Sequence, residues 1–258
     1  MKETPIGFTE YMIGALTILP WACVVWKAYP EKKTVRLVSG ILIALTLGWI
    51  STEIITWLHP ILWPETDFNP KKKVSMLTQT VHIAFIQAGI MEESVKILFL
   101  LFLTAALGYD YKEKKFQPQV VLFAAFIAMG FSLIENSLYI AREIPDKKIA
   151  IFIGRTIHSS NFHLLIDLCF ALFMLKSNDK EKTDRITYLL LAFVLAVLQH
   201  GVVDFLLIPG ATFGNWIATA MFVGIWVWIV RDWRIYVTAY LQERKTLIPA
   251  SEYSSQSI

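Results

Sequence analysis

Charge is scarce in this chain. Asp, Glu, Lys and Arg make up 17% of its 258 residues while the hydrophobic set reaches 55%, against roughly 25% charged in an ordinary soluble domain. That deficit excludes a conventional water-facing surface. A net charge of +3 is too small to point to a nucleic-acid partner. Cysteine is rarer still. Cys23 and Cys169 both sit inside apolar stretches, which argues against a structural disulfide or a thiolate metal site. No His-Glu-x-x-His string occurs, so the usual zinc-protease helix is missing. There is no internal repeat and no second domain. The first apolar block follows Glu3 and Glu10 rather than a basic leader, and reads as a retained span, not a cleaved signal peptide.

What the chain does have is long apolar blocks. They run over residues 8–26, 36–58, 77–107, 118–141, 149–175, 186–208 and 212–230. Blocks of about 20 apolar residues match a ~30 Å hydrocarbon layer at ~1.5 Å per helical residue. The expected fold is therefore an all-α, polytopic transmembrane helix bundle of seven spans, or eight with a re-entrant segment. Residues 1–240 form one transmembrane domain and 241–258 a polar, flexible cytoplasmic tail. The third block, at about 46 Å of helix, must tilt, protrude or break. Lys and Arg concentrate in the loops at 27–36, 112–115 and 176–185 and after 230, and outnumber those at residues 2, 71–73, 142, 147 and 148. The positive-inside rule then places the N-terminus outside and the C-terminus inside.

Seven charges lie near the middles of these spans: Glu92, Glu93, Lys96, Glu135, Arg155, Asp167 and Asp204. At roughly 3 kcal/mol each, they would together cost about 20 kcal/mol if exposed to lipid unpaired, as much as the stability of a whole domain. They must face the bundle interior, pair, or line a wet cavity. Glu92 and Lys96 share a helix face at i,i+4, with Glu93 about 100° around. Phe131, Glu135 and Tyr139 form one stripe, and Thr156, Ser159, Ser160, His163 and Asp167 another. His200 and Asp204 stack at i,i+4.

Carboxylates beside imidazoles suit the activation of water: a buried carboxylate can serve as general base, and histidine can donate to a developing oxyanion. Each piece also has a structural reading. Glu92 with Lys96 can be an intramembrane ion pair, and Asn136 and Ser132 interhelical hydrogen bonds. His163 can be a packed residue, and His200 with Asp204 a helix-face hydrogen bond. His59 and His82 read as structural, Glu53 as interfacial. Trp57, Trp63, Trp216, Trp226, Trp228 and Trp233 read mostly as interfacial anchors. The combination across four spans is what a purely structural account does not require.

The strings Met91-Glu92-Glu93-Ser94-Val95-Lys96, Gly130-Phe131-Ser132-Leu133-Ile134-Glu135-Asn136-Ser137-Leu138-Tyr139 and Gln199-His200-Gly201-Val202-Val203-Asp204-Phe205, with Arg155 eight residues before His163, resemble the hallmark motifs of the PrsW family. Order and spacing hold over roughly residues 85–206. The resemblance implies a multispanning intramembrane protease, distantly similar to type II CAAX-prenyl endopeptidases, of a prokaryotic plasma membrane. It implies single-span membrane proteins as substrates, with site-1 cleavage of anti-sigma factors as the associated activity. By position it makes Glu92, Glu93, Glu135, His163 and His200 catalytic, with Lys96, Asn136, Arg155 and Asp204 in support. The stretch between Arg155 and His163 departs from the family's proline and small residues, and leaves His158 as a rival of His163.

Metal use is open at this level. Glu92, Glu93 and His200 could hold Zn²⁺, or glutamate could activate water with no cofactor. A proton- or ion-coupled transporter would also need buried ionisable groups, and a catalytically silent membrane scaffold is a third class. The oligomeric state is not legible.

Overall fold

The apolar blocks wind into helices almost throughout, because a chain inside lipid must satisfy its own backbone hydrogen bonds. The computed structural model describes residues 6–31, 34–63, 75–208 and 212–242. It opens with α1 (Phe8–Ala28) and α2 (Val35–Leu62), the latter capped by Thr34, whose hydroxyl accepts the Leu37 N–H at 3.2 Å. A continuous helical run follows: α3 (Met76–Val81), a π-wound stretch His82–Ile90, α4 (Met91–Leu103) and a π turn Thr104–Gly108. This is the over-long third block. It does not break; it changes winding, since i→i+5 bonding takes up more residues per turn.

A two-stranded hairpin, β1 (Tyr109–Asp110) with β2 (Lys115–Phe116), leads to α5 (Val120–Arg142). Then come α6 (Lys148–Gly154), a π turn Arg155–Ser159, α7 (Ser160–Lys176), α8 (Lys182–Leu207), α9 (Thr212–Trp233) and a last π turn Arg234–Ala239. Six runs among the described residues are long and apolar enough to cross a membrane: Phe8–Ala28, Val35–Leu62, Val120–Arg142, Pro145–Asp179, Lys182–Leu207 and Thr212–Gln242. The run from Met76 is not one of the six; Glu92, Glu93 and Lys96 interrupt its apolar surface. Of the tail expected over 241–258, Leu241 and Gln242 are helical; residues 243–258 lie outside the described residues, as do the lysines at 71–73.

Two spans form the centre. Of the apolar windows of α5 and the α6–α7 run, 83% and 78% are buried by other helices, against 22–33% for the surrounding spans. The crossing of α2 and α5 depends on small residues. Gly40, Ala44 and Gly48 make a buried stripe at four-residue spacing, and a Cβ on Gly48 would run into the Ile127 carbonyl, one on Gly130 into the Leu45 carbonyl. Such stripes let membrane helices approach backbone to backbone. Gly14 brings α1 against Leu133 and Ser137 of α5 in the same way.

Trp226 departs from the interfacial reading. It stacks on Trp21 with centroids 5.9 Å apart and donates its indole N–H to Asn161 Oδ1 at 2.9 Å, the partner an indole requires when held away from water. Cys169 is buried in α7, and Cys23 is exposed on α1.

Gly130→Val should wedge α2 from α5. Overpacking of this kind costs about 1–3 kcal/mol, so thermal unfolding in detergent should fall by roughly 3–10 °C. Gly224→Ala, where a Cβ meets open space, should leave the transition within about 2 °C. Equal shifts for the two variants would sink the close-packing account.

Candidate active site

The π-wound stretch His82–Ile90 and α8 lie side by side, and the contact is made by glycines. A Cβ on Gly201 would strike the Phe85 ring, and one on Gly89 would stand 3.0 Å from the Val197 carbonyl oxygen. His200, next to Gly201, is thereby pressed against the start of α4. Its Nδ1–H donates to Glu93 Oε1 at 2.6 Å. A carboxylate only accepts, so this bond puts a ring proton on Nδ1. Nε2 faces Asp204 Oδ2 at 3.4 Å and Glu92 Oε2 at 3.6 Å.

The two glutamates of the doublet face different surroundings. Glu93 is fully buried, and the Lys96 ammonium meets its Oε1 at 2.6 Å. Glu92 is partly exposed and lines a cavity. Lys96 therefore pairs with Glu93 at i,i+3, not with Glu92 at i,i+4 as the spacing predicts. The reason is burial: Glu93 and Lys96 both turn into the interior, where their partners are each other and groups of α7 and α8. From α7, Asp167 Oδ1 lies 3.6 Å from Lys96 Nζ and His163 Nδ1 lies 3.5 Å from it. Phe131 covers the ammonium, 5.1 Å from the ring centroid.

His163 turns its other nitrogen to α5, with Nε2 3.1 Å from Glu135 Oε2. The same Glu135 oxygen is ion-paired to Arg155 Nη2 and accepts from Ser159 Oγ at 3.3 Å. Arg155 also donates Nε–H to Asn136 Oδ1 at 2.6 Å and lies over Tyr139, 4.0 Å from the ring centroid. Asn136 is fully buried and uses all its capacity. Its amide donates to Thr17 Oγ1 at 2.7 Å and Ser160 Oγ at 2.9 Å, and its carbonyl also accepts from Ser159. Asn136 thus ties α1, α5 and α7 together, while Arg155 fixes Glu135 beside His163.

The imidazoles of His163 and His200 stand 5.4 Å apart, with Phe162 against both. His158 lies instead toward Phe222, 6.1 Å between rings. Glu92, Glu135, His158, His163, His200 and Asp204 all line one cavity of about 640 Å³. Glu93, Lys96 and Asn136 stand behind its wall. Among the lining residues outside the motifs are His59 and Gln87, which touch each other at 3.3 Å. A glutamine in an apolar helix is a weak hint alone, and only the π winding shows which way it faces. Asp167, visible in the sequence as one of a polar stripe, is the second carboxylate on Lys96.

Glu92, His163 and His200 each offer a ligand atom within 4.8 Å of the others. One zinc ion with bonds of ~2.1 Å bridges ligands up to ~4.2 Å apart, so modest closure suffices, and His₂Glu is a donor set of catalytic zinc. Two of the donors fit such an ion as they stand: Glu92 Oε2 is buried without a hydrogen bond, and Glu93 behind His200 is the carboxylate that orients a metal-binding imidazole; His163 would have to exchange its contact with Lys96 or Glu135 for the ion. This set differs from Glu92, Glu93 and His200, because Glu93 is spent on Lys96 and on the far side of His200.

Lys96→Met would leave Glu93 and Asp167 as like charges in a dry site. Removing one partner of a buried pair costs about 3–5 kcal/mol, and adding Asp167→Asn should restore part of that loss. Thermal unfolding of the single and double variants measures it; a double variant no more stable than the single would remove Asp167 from the network.

Residues 24–230 match the family model described as PrsW family intramembrane metalloprotease. The chain is similar to the protein named Protease PrsW of Clostridioides difficile (strain 630), 32% identical over 133 residues, covering 50% of this chain and 53% of that one. It is similar to Protease PrsW of Shouchella clausii (strain KSM-K16), 27% identical over 59% of this chain and 66% of that one, and of Bacillus subtilis (strain 168), 24% identical over 57% and 62%. The chain thus spans about half to two thirds of the length of the curated relatives it matches. No solved structure matches it. With a family match over most of its length, and the hallmark Glu-Glu-x-x-Lys, Glu-Asn and His-Gly-x-x-Asp residues gathered at one cavity, this chain belongs to the PrsW family of intramembrane metalloproteases.

Proposed function

We propose that this chain hydrolyses a peptide bond of a single-span membrane protein at the cavity where α4, α5, α7 and α8 meet. One observation carries the reading: Glu92, His163 and His200 turn their donor atoms together at the wall of a cavity, within an apolar bundle that has no structural need for them. Glu92, His163 and His200 would hold a divalent metal ion. When bound, it polarises the scissile carbonyl and acidifies a water molecule.

The protein's own groups account for the remaining requirements. The cavity-facing Oε2 of Glu92 is needed in either chemistry, as a metal ligand or as acceptor of the proton that water gives up on attacking the carbonyl carbon. Glu93 holds His200 in one tautomer and one orientation. Asp204, beside His200 Nε2, is placed to steady charge that develops there. Arg155, Ser159 and Asn136 hold Glu135 against His163. As the C–N bond breaks, the proton taken from water, held by Glu92 or, where Glu92 holds the metal ion, by the cavity carboxylate of Asp204, passes to the departing amine.

Glu135 and His200 lie seven residues before the C-terminal ends of α5 and α8, ~10 Å along each helix. With the N-terminus outside and the run Met76–Gly108 crossing as a seventh span, those ends are the outer ones, and the cut falls in the outer half of the membrane. Such a cut suits site-1 cleavage of a membrane-anchored anti-sigma factor, the activity the motifs imply.

The test is cleavage of a panel of single-span substrates by the purified chain in liposomes. Glu92→Gln, His163→Ala and His200→Ala should each lower the rate by about 100-fold or more while the protein remains folded. A chelator should abolish cleavage, with restoration by added zinc, if metal is used; a chelator-insensitive rate assigns the chemistry to Glu92 and water. Variants that cut as fast as the parent would refute the site.

A further inference from the structure

Gln87 is a polar residue of the cavity that no motif explains. It lies in the π-wound stretch His82–Ile90, and its side chain is 91% shielded from solvent. Its Oε1 is 3.3 Å from His59 Nε2 of α2. Its Nε2 has no hydrogen-bond partner. An amide nitrogen buried without an acceptor calls for an explanation. The surroundings limit what that is. Gln87 lines the same cavity as Glu92, His163 and His200, in the company of Ile83, Ala88 and Met91, so its donor is open to what the cavity holds.

The backbone brings it there. In a regular α-helix Gln87 and Glu92, five residues apart, stand about 140° from each other, at 100° per residue. The i→i+5 bonding of the π stretch narrows that angle and turns Gln87 toward the face of Glu92, and π-bulges occur frequently at functional sites. His59 fixes the carboxamide: a ring N–H donated to Oε1 leaves both hydrogens of Nε2 pointing away from α2.

We infer that Gln87 is a substrate-binding residue whose Nε2–H donates to a main-chain carbonyl oxygen of the peptide segment held in the cavity. A polypeptide drawn out of helical form beside the scissile bond exposes such carbonyls, and each needs a donor within an apolar bundle. Ile83, Ala88 and Met91 make no hydrogen bonds through their side chains, so the carboxamide is the donor this wall provides. The inference rests on the peptide-hydrolase reading above, and His59 is its positioning residue.

The experiment compares Gln87→Glu, Gln87→Met and Gln87→Asn with the parent on a cleaved single-span substrate. It also measures capture of a fluorescent single-span peptide by the non-cleaving Glu92→Gln protein, with and without Gln87→Glu. Glutamate and methionine keep the length and lose the donor; kcat/KM should fall about tenfold or more, carried mainly by KM, and capture should weaken about tenfold. Asparagine, which keeps the amide, should recover part of the loss. His59→Ala should lower kcat/KM less than Gln87→Met does. Thermal unfolding separates these effects from misfolding, and if Gln87→Met does not fold, Gln87→Glu and Gln87→Asn carry the comparison. Parent-like kcat/KM and capture in Gln87→Glu, with Glu92→Gln still inactive, overturn the role of Gln87 and leave the hydrolase reading standing. A parent protein that cuts nothing overturns both.

Discussion

Lys96 carries an ammonium group into the middle of an apolar bundle, where a lone charge would cost several kcal/mol. The rest of the site is arranged around meeting that charge. Glu93 meets it from the same helix, Asp167 from α7, and Phe131 covers it with a ring face. Because Glu93 is committed to Lys96, its accepting oxygen is fixed in space, and His200 is fixed by that oxygen in turn. The imidazole then has one orientation, Nε2 toward Glu92 and Asp204. A buried ion pair is weak evidence for stability, but it is effective at specifying geometry. Here the specified geometry is that of the cavity wall.

A second charged group works in parallel. Arg155 joins Glu135 to Asn136, and Asn136 joins three helices through Thr17, Ser159 and Ser160. Glu135 therefore meets His163 from a position set by α1, α5 and α7 together. Glycines make both arrangements possible. Gly48 and Gly130 let α2 approach α5, while Gly89 and Gly201 let the π-wound stretch approach α8. Close backbone contact brings side chains from distant parts of the chain within hydrogen-bond reach, and the apolar surroundings strengthen each polar contact made there.

Much of this was legible in the sequence because the membrane leaves a chain few options. Six of the seven apolar blocks appear as helices long enough to cross, and the charges in mid-block converge on a single site. Glu92, Glu135, His163, His200 and Asp204, candidates from spacing and the family motifs, share one cavity. The partner of Lys96 was not legible. Regular α-helical spacing favours Glu92, and only the burial of Glu93 decides otherwise. The π windings were not legible either, since no residue type signals them, and with them went Gln87 and its contact with His59. Trp226 shows the same limit: a tryptophan in an apolar span reads as an interfacial anchor until its acceptor, Asn161, is seen across the bundle.

The central claim is that Glu92, His163 and His200 act as one unit. Groups that share a single chemical step lose their effect together, so removing all costs about as much as removing the worst one. The direct measurement is the single-turnover cleavage rate of each single variant and of the combined Glu92→Gln, His163→Ala, His200→Ala protein. A combined loss no greater than that of the most damaging single variant is the predicted result. Losses that multiply across the three positions would mean that the residues act independently, and would contradict the account.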